Sequence, residues 1–206
     1  MPGRNIIKEY AADQFYHVYS RGVAKQPVFI DETDYVFFLS LFKRYLSEKP
    51  ENSKRHGVYP HFGTRLQLLS YCLMSNHVHI LLFQKDETAM TEFMRALMTS
   101  YGMYFNRRHK RVGPVFQSRY KASRITADPY LQHISRYIHL NPHDWRNYPY
   151  SSLPYYLGDQ SADWIKPGLI LNIFSNSRSD YLAFVEDYEE QKEILDELKW
   201  ELADSP

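Results

Sequence analysis

Alternating apolar and polar positions predict four strands. QFYHVYSR at residues 14–21 alternates and is rich in aromatic residues and valine. LQLLSYCLM at 66–74 and HVHILLF at 77–83 are separated only by a Ser-Asn pair, which favours a hairpin or one long bent strand. VFQSRYKASRI at 115–125 alternates again and predicts the fourth strand.

Helical spacing of apolar residues predicts the helices between and after these strands. Asp31 is a candidate N-cap for the first helix, and the clearest amphipathic pattern covers Met90–Phe105. A third helix is predicted to begin at Asp128, a further candidate cap, and to end near Asn141 before a proline. A last amphipathic helix is predicted from about Ser179.

The mixture of strands and helices predicts an α+β protein with one principal domain. A chain of 206 residues with 44% hydrophobic and 24% charged residues can bury one good core. YPYSSLPYYLG at 148–158 is rich in proline and tyrosine and is predicted to be a surface segment.

The apolar runs and the single cysteine predict the compartment. Every apolar run is far shorter than the roughly 20 residues that span a bilayer, and MPGRNIIKEY at the start has no apolar signal core. Cys72 lies in a strand-like run, where a small core residue in a reducing compartment is expected. We therefore expect a cytoplasmic protein without membrane contact.

The charges are unevenly distributed. The net charge is +1, but residues 186–204 carry −7, which leaves +8 for the remainder. A basic body with 16% aromatic residues is typical of a surface that contacts phosphates and stacks bases, although core aromatics and solvated arginines explain the same composition. The acidic segment is predicted either to cover the basic surface or to be a solvated helix edge.

The histidines of HVHILL are the first candidate for chemistry. On a strand, His77 and His79 point to the same face, which suits two imidazoles on one metal ion. Paired histidines on a solvated or buried sheet face are the alternative. Two imidazoles leave room for an oxygen ligand and a substrate, as an open catalytic site requires.

The third predicted helix supplies candidate partners for the histidine pair. Tyr130, Tyr137 and Asn141 lie along one edge of its apolar stripe, with Tyr137 and Asn141 one turn apart. A phenol and an amide oxygen could therefore face the same point; a half-buried aromatic and a helix-end residue are the alternative.

The candidate set contains no carboxylate, which argues against a two-metal nuclease and favours one cation that polarises a phosphodiester while tyrosine attacks. No phosphate-binding GxxxxGK[ST] loop is present, and no nucleotide cofactor is expected.

The series of motifs resembles the IS200-like single-tyrosine HUH transposases, and within them the REP-associated tyrosine transposases. Departures from that family are Val23 in place of asparagine, Ser75 in place of proline, and HDWRN after LNP, where the family continues with valine and a basic or glycine-rich turn. The matching stretches are YHVYSRG at 16–22, PVFIDETDY at 27–35, MSNHVHILL at 74–82, YFNRRHKRVGPVFQSRYKA at 104–122, RYIHLNP at 136–142 and YPYSSLPYYLG at 148–158.

The resemblance implies a fold and a set of roles. The fold is a ferredoxin-like antiparallel sheet with helices packed on one face, the HUH endonuclease fold, in a domain of residues 1–160 followed by a C-terminal helical extension at 161–206. His77 and His79 become metal ligands, Asn141 a third ligand, and Tyr137 the nucleophile that forms a 5′-phosphotyrosine. Mg²⁺ or Mn²⁺ is the implied cofactor, and on grounds of ligand softness the histidines favour Mn²⁺.

The resemblance also implies a partner, single-stranded DNA beside the hairpin of a repeated extragenic palindrome, and a location near the nucleoid. It favours a monomer that acts in cis, with a dimer as the alternative. A non-catalytic regulator that binds hairpin DNA and a metal phosphodiesterase that uses water are the alternatives. Phosphate contacts are predicted for the basic residues, and base contacts for Gln117 and Arg119. The predicted DNA-binding residues are Arg21, Lys25, Arg107, Arg108, Lys110, Arg111, Gln117, Arg119, Lys121 and Arg124.

Overall fold

Two small β-sheets and six α-helices make up the described part of the chain. The computed structural model describes residues 10–50, 52–53, 57–125 and 128–187. In chain order the elements are β1 (Gln14–Arg21), α1 (Glu32–Leu46), β2 (Asn52–Ser53), β3 (Gly57–Val58), β4 (Leu66–Met74), β5 (His77–Gln84), α2 (Ala89–Arg108), β6 (Lys121–Ile125), α3 (Asp128–His139), α4 (Leu153–Leu157), α5 (Gly168–Leu171) and α6 (Arg178–Glu186).

The main sheet has the strand order β4-β5-β1-β6, and every neighbouring pair is antiparallel. β4 and β5 form a hairpin with Ser75 and Asn76 in the turn, so the hairpin interpretation is confirmed. β2 and β3 form a separate two-stranded sheet. With a helix after β1 and another after β5, this is the ferredoxin-like α+β arrangement predicted above.

Helices cover both faces of the main sheet, because alternate residues of the central strands enter two separate cores. Val18, Val78 and Ile80 point into a core with α1 and α2. Leu81 faces the opposite way and packs with Ile138 of α3. The expectation of helices on one face is therefore wrong: α3 to α6 cover the second face.

Side-chain caps fix where α1 and α6 begin. The carboxylate of Asp31 accepts a hydrogen bond from the amide of Thr33 at 3.0 Å, as predicted for an N-cap. Ser177 caps α6 and accepts from the amide of Asp180 at 3.2 Å. The side chain of Asp128, the cap predicted for α3, lies outside the described residues.

The predicted fourth strand is shorter than expected. Only Lys121–Ile125 pairs with β1, whereas residues 115–120 cross the end of β1. There the amide of Val23 donates to the carbonyl of Val115 at 3.0 Å, and the amide of Gln117 donates to the carbonyl of Arg21 at 2.9 Å. These contacts bend the segment away from a continuous ladder, which alternation of polarity does not reveal.

The proline- and tyrosine-rich segment 148–158 is not a simple surface segment. It includes α4, and Ser152 and Tyr156 are fully buried. The Tyr156 hydroxyl donates to the carbonyl of Leu69 at 3.0 Å, and the amide of Ser152 donates to the carbonyl of Tyr71 at 2.9 Å. The polar groups of the segment are thus satisfied against β4, which permits burial of a sequence that looks like a loop.

Residues 161–187 pack against the same sheet and helix α3. The amide of Lys166 donates to the carbonyl of Leu68 at 2.8 Å, and Ile170, Tyr181 and Val185 share a core with Ile138. The domain boundary at residue 160 stays a prediction. The acidic segment beyond Asp187 lies outside the described residues, and across the described ranges no helix is long and apolar enough to cross a membrane.

Candidate active site

His77 and His79 lie at the beginning of β5 and face α3. β5 pairs with β1 so that His77 is opposite Arg21 and His79 is opposite Tyr19. The intervening Val78 points into the other core, as the two-residue period of a strand requires. The histidine pair therefore shares one face of the sheet with two side chains of β1.

Helix α3 brings Tyr137 and Asn141 to this face. Its apolar stripe, which includes Ile134 and Ile138, packs on the sheet, so the edge of the helix that carries Tyr137 meets the histidines. The Tyr137 ring is edge-on to the His79 ring, with 5.3 Å between centroids. Asn141 follows two residues after the end of α3. The structure thus gathers Tyr137, His77, His79 and Asn141 at one place.

The two histidines converge on the side-chain amide of Asn141. His77 Nε2 is 3.1 Å from Asn141 Oδ1, and His79 Nε2 is 3.4 Å from Asn141 Nδ2. Two ligands at right angles on an ion with bonds of about 2.1 Å are about 3.0 Å apart. The separation of His77 Nε2 and Asn141 Oδ1 therefore fits two ligands of one divalent cation, and His79 Nε2 lies against the same side-chain amide, within reach of such an ion.

Hydrogen bonding assigns the proton of His77. Asn76 donates through Nδ2 to the carbonyl of Lys25 at 3.1 Å, which turns its Oδ1 toward His77 Nδ1 at 2.6 Å. Nδ1 of His77 must therefore carry the proton and donate it to Asn76 Oδ1. In the neutral ring Nε2 then holds a lone pair, and it faces a second acceptor, Asn141 Oδ1. A cation between them would satisfy both atoms.

Burial keeps both imidazoles neutral. It lowers the pKa of His77 to about 4, against a smaller opposing effect of the Asn141 hydrogen bond, and the Arg21 charge lowers it further. Burial also lowers the pKa of His79 well below its usual value, helped by His17, His77 and Arg21. Neutral imidazole is the form that binds a metal, so both rings are in the ligand form at pH 7.

Arg21 adds a positive charge beside the histidine pair. Arg21 is opposite His77 in the strand register. Its Cζ lies 5.6 Å from the centroid of the Tyr19 ring. Its Nε is buried and has no hydrogen-bond partner among the described residues. A buried guanidinium N–H without an acceptor is costly, and an anion such as a phosphate oxygen would satisfy it.

The other predicted DNA-binding residues fall into two groups, and Arg124 belongs to neither. The first group lies near Arg21 and contains Lys25, Gln117 and Lys121. The carbonyl of Lys25 accepts a hydrogen bond from Asn76, and the amide of Gln117 donates to the carbonyl of Arg21. Lys121 is opposite Tyr19 in the strand register. Arg119 is exposed in the segment that joins them to β6.

The second group lies away from the histidine face. Arg107, Arg108, Lys110 and Arg111 are at or just after the end of α2, which packs on the opposite face. Arg108 is engaged in ion pairs with Asp31 at 2.8 Å and Asp34 at 2.9 Å, and Arg111 lies over the Phe105 ring.

Arg124 alternates with Lys121 and Ser123 on β6 and therefore points to the face opposite theirs. The structure does not unite the ten residues on one surface.

His17 and Asn76 belong to the site and were not singled out in the sequence. His17 Nε2 is 2.9 Å from His79 Nδ1, and its ring is edge-on to Tyr137 at 6.1 Å. The strand period that pairs His77 with His79 also places His17, Tyr19 and Arg21 on one face, so the signal for His17 was present.

Across the described ranges there is no cluster of three or more His, Cys, Asp or Glu residues that could hold a metal.

Comparison with known proteins identifies the region that contains the site. Residues 61–141 match the family model described as "Transposase IS200 like", a range that includes His77, His79, Tyr137 and Asn141. No curated protein matches the chain.

The solved structures that are similar to this chain include the following two. One is a REP-associated tyrosine transposase bound to a REP hairpin, with a TM-score of 0.54, 14% identity, and coverage of 80% of this chain and 92% of that one. The other comes from Deinococcus radiodurans R1 and carries a transposase name, with a TM-score of 0.39, 16% identity, and coverage of 67% of this chain and 95% of that one. The first shows the same fold as this chain. The resemblance to IS200-like transposases, inferred from sequence motifs, is confirmed over residues 61–141 by the family model, and the solved structure confirms the predicted fold.

Proposed function

We propose that this protein is a metal-dependent endonuclease and strand transferase that cleaves and rejoins single-stranded DNA beside a hairpin through a 5′-phosphotyrosine. The observation that carries the proposal is the convergence of His77 Nε2 and His79 Nε2 on Asn141, with the Tyr137 ring packed against His79. The family likeness supports a transposase-type activity, and the positions of Tyr137 and of the two histidines support its assignment to a tyrosine nucleophile beside a cation.

Tyr137 is the proposed nucleophile. Its phenol oxygen loses its proton to solvent and forms a bond to the phosphorus. The bond from phosphorus to the 3′ oxygen breaks, and that oxygen takes a proton from water and leaves as a 3′-hydroxyl. An ordinary tyrosine has a pKa near 10 and is a weak nucleophile at pH 7. The phosphotyrosine retains an ester of similar energy, so attack by a 3′-hydroxyl rejoins the strand without ATP.

His77, His79 and Asn141 would hold Mg²⁺ or Mn²⁺. Such an ion would supply a Lewis acid for the phosphodiester and for the negative charge that develops on it. Because the histidines are neutral and one of the three groups is an amide, the protein ligands carry no negative charge. The site therefore keeps the full charge of the cation for the phosphate.

Arg21 and Lys121 are proposed to bind the phosphates that flank the cleavage site. The unpaired Nε of Arg21 beside His77 suits a phosphate oxygen, and Lys121 lies on the same sheet face. The structural neighbour bound to a REP hairpin supports hairpin-bearing DNA as the substrate class. Arg108 is a weaker candidate because its guanidinium already pairs with Asp31 and Asp34.

The test is a cleavage assay on labelled single strands that carry a hairpin, with Mn²⁺ or with a chelator. Wild type is expected to give a labelled protein–DNA species that survives denaturation and requires the metal. The Tyr137→Phe variant should form no such covalent species but should still bind the hairpin. Tyr130→Phe is the matched control, since Tyr130 lies on the same helix but is 42% exposed, and it should retain the adduct.

The alternative functions give different results in the same assay. Free cleavage product without any covalent species would support a water-using phosphodiesterase. Hairpin binding with neither product nor adduct, in any metal, would support a non-catalytic DNA-binding regulator. An adduct that persists in Tyr137→Phe and disappears in Tyr130→Phe would assign the nucleophile to Tyr130.

A further inference from the structure

We propose that His17 is a positioning residue that fixes the tautomer and the ring orientation of His79, so that His79 presents the lone pair of Nε2 to the cation site. The role of His79 as a metal ligand rests on the proposed function. The contact between His17 and His79 is present in the structure without a metal. A histidine is an unusual partner for a metal-binding histidine, because carboxylates and backbone carbonyls are common there.

His17 and His79 form a side-chain hydrogen bond between the neighbouring strands β1 and β5. His17 is on β1, two residues from the position opposite His79. Its Nε2 lies 2.9 Å from His79 Nδ1, and the two rings are nearly parallel, with 9° between planes and 5.1 Å between centroids. Only 1% of His17 and none of His79 is exposed to solvent. Water therefore does not compete for this hydrogen bond.

The proton in the contact decides which nitrogen of His79 is available. A hydrogen bond of 2.9 Å between two ring nitrogens places one N–H between them, and a neutral imidazole carries only one N–H. If His79 Nδ1 donates to His17 Nε2, then His79 Nε2 carries a lone pair. If His17 donates instead, His79 Nε2 is protonated and cannot bind a cation.

The opposite side of the His79 ring selects the first arrangement. Asn141 approaches His79 Nε2 through its Nδ2, a nitrogen that only donates, at 3.4 Å. In this orientation of the Asn141 amide, His79 Nε2 accepts, which places the ring proton on Nδ1 and makes His17 Nε2 the acceptor. His17 also meets the edge of the Tyr137 ring, so one buried side chain supports both the ligand and the proposed nucleophile.

The experiment compares His17→Phe with His17→Gln. Phenylalanine retains a flat ring of similar size and removes the acceptor, whereas the Oε1 of glutamine reaches the position of histidine Nε2 and can accept the same proton. The first readout is the tautomer of His79 in metal-free protein, from ¹⁵N chemical shifts of the ring. The second is Mn²⁺ affinity, from electron paramagnetic resonance of free Mn²⁺. Thermal melting checks that both variants fold.

We expect the Nδ1–H tautomer for His79 in wild type and in His17→Gln, and a smaller fraction of it in His17→Phe, where only the Asn141 contact still favours it. We expect His17→Phe to lower Mn²⁺ affinity about 10- to 100-fold, the usual effect of removing the partner of a metal-binding histidine. His17→Gln should remain within about threefold of wild type, because it restores the acceptor.

Two results would overturn the inference: the Nε2–H tautomer of His79 in wild type, or the same tautomer and affinity in His17→Phe as in wild type. Loss of affinity in both variants alike would also contradict it, since packing alone would then explain the effect. Failure of the proposed function is distinguishable. Absence of Mn²⁺ binding by wild type would contradict the cation site, while the ¹⁵N shifts would still decide the role of His17.

Discussion

Gly22 shows how tightly a single residue constrains the edge of the proposed site. It follows Arg21 at the end of β1, and its amide donates to the carbonyl of Asn76 at 2.8 Å. A Cβ at this position would lie 2.1 Å from the carbonyl oxygen of Gln26 and 2.8 Å from Val28 Cγ1. Glycine is required here by space rather than by an unusual backbone angle, since its φ is −61°.

We expect Gly22→Ala to lower the free energy of unfolding by about 1–3 kcal/mol, the usual cost of overpacking. Gly102→Ala is the matched control, because Gly102 is inside α2 with no heavy atom within 4 Å of an added Cβ. That change should raise the free energy of unfolding by about 0.5–1 kcal/mol through helix propensity. Urea denaturation measures both values, and equal stability of Gly22→Ala and wild type would refute the clash.

Single residues also show what the sequence revealed. The spacing of His77 and His79 on a strand, and of Tyr137 and Asn141 on a helix, was sufficient to predict that each pair shares a face. His17 was not predicted, because one histidine in an apolar strand is also the pattern of an ordinary core residue. Its role depends on a contact between β1 and β5, which a local pattern does not contain.

At the level of elements, α3 is held in place from the side remote from the sheet. Arg136, next to Tyr137, is fully buried and donates through Nη1 to the carbonyls of Phe184 at 2.8 Å and Asp187 at 3.0 Å. Its guanidinium also lies 3.8 Å from the centroid of the Phe184 ring. A cation at the C-terminal end of α6 is favourable for the helix dipole as well as for the carbonyls.

We expect Arg136→Met to lower the free energy of unfolding by about 2–4 kcal/mol, since it removes charged hydrogen bonds and leaves buried carbonyls unsatisfied. Arg146→Met provides the comparison. Arg146 forms an ion pair with Glu186, the last residue of α6, but the two side chains are 53% and 42% exposed. Its loss should cost no more than about 1 kcal/mol. Similar values for the two variants in urea denaturation would show that Arg136 does not anchor α3.

The sequence predicted elements well where one face is apolar and poorly where polar groups are buried. β1, the β4–β5 hairpin, α1 and α2 follow their hydrophobic periods closely. The segment containing α4 was misjudged because hydroxyls of Ser152 and Tyr156 are satisfied inside the fold by β4. Hydropathy counts such residues as polar, whereas hydrogen bonding with a neighbouring strand makes them suitable for the interior.

The whole molecule contains several buried neutral histidines, which couples its stability to pH. Burial lowers the pKa of His17 to about 3, of His139 to about 3 and of His77 to about 4. His139 is held between the Tyr181 hydroxyl and Ser152 Oγ, each at 2.7 Å. The unfolded chain binds protons at these positions below about pH 6.5, and the folded chain does not.

With a chelator present, we expect the free energy of unfolding to fall as the pH is lowered from 6.5 to 5. Each such histidine contributes at most about 1.4 kcal/mol per pH unit. His139→Gln should reduce the slope by about one proton, because glutamine can retain hydrogen bonds without titrating. Stability that is constant or rises over this interval, in urea denaturation at several pH values, would contradict the neutral state of these histidines.

The proposed reaction is attack by Tyr137 on DNA beside a cation held by His77, His79 and Asn141. The most direct measurement is peptide mass mapping of the protein after reaction with a hairpin-bearing single strand and Mn²⁺. We expect a nucleotide covalently linked to the peptide that contains Tyr137, present with Mn²⁺ and absent with a chelator or in His79→Ala. A nucleotide on a different residue, or an adduct at Tyr137 that forms equally well without metal, would contradict the account.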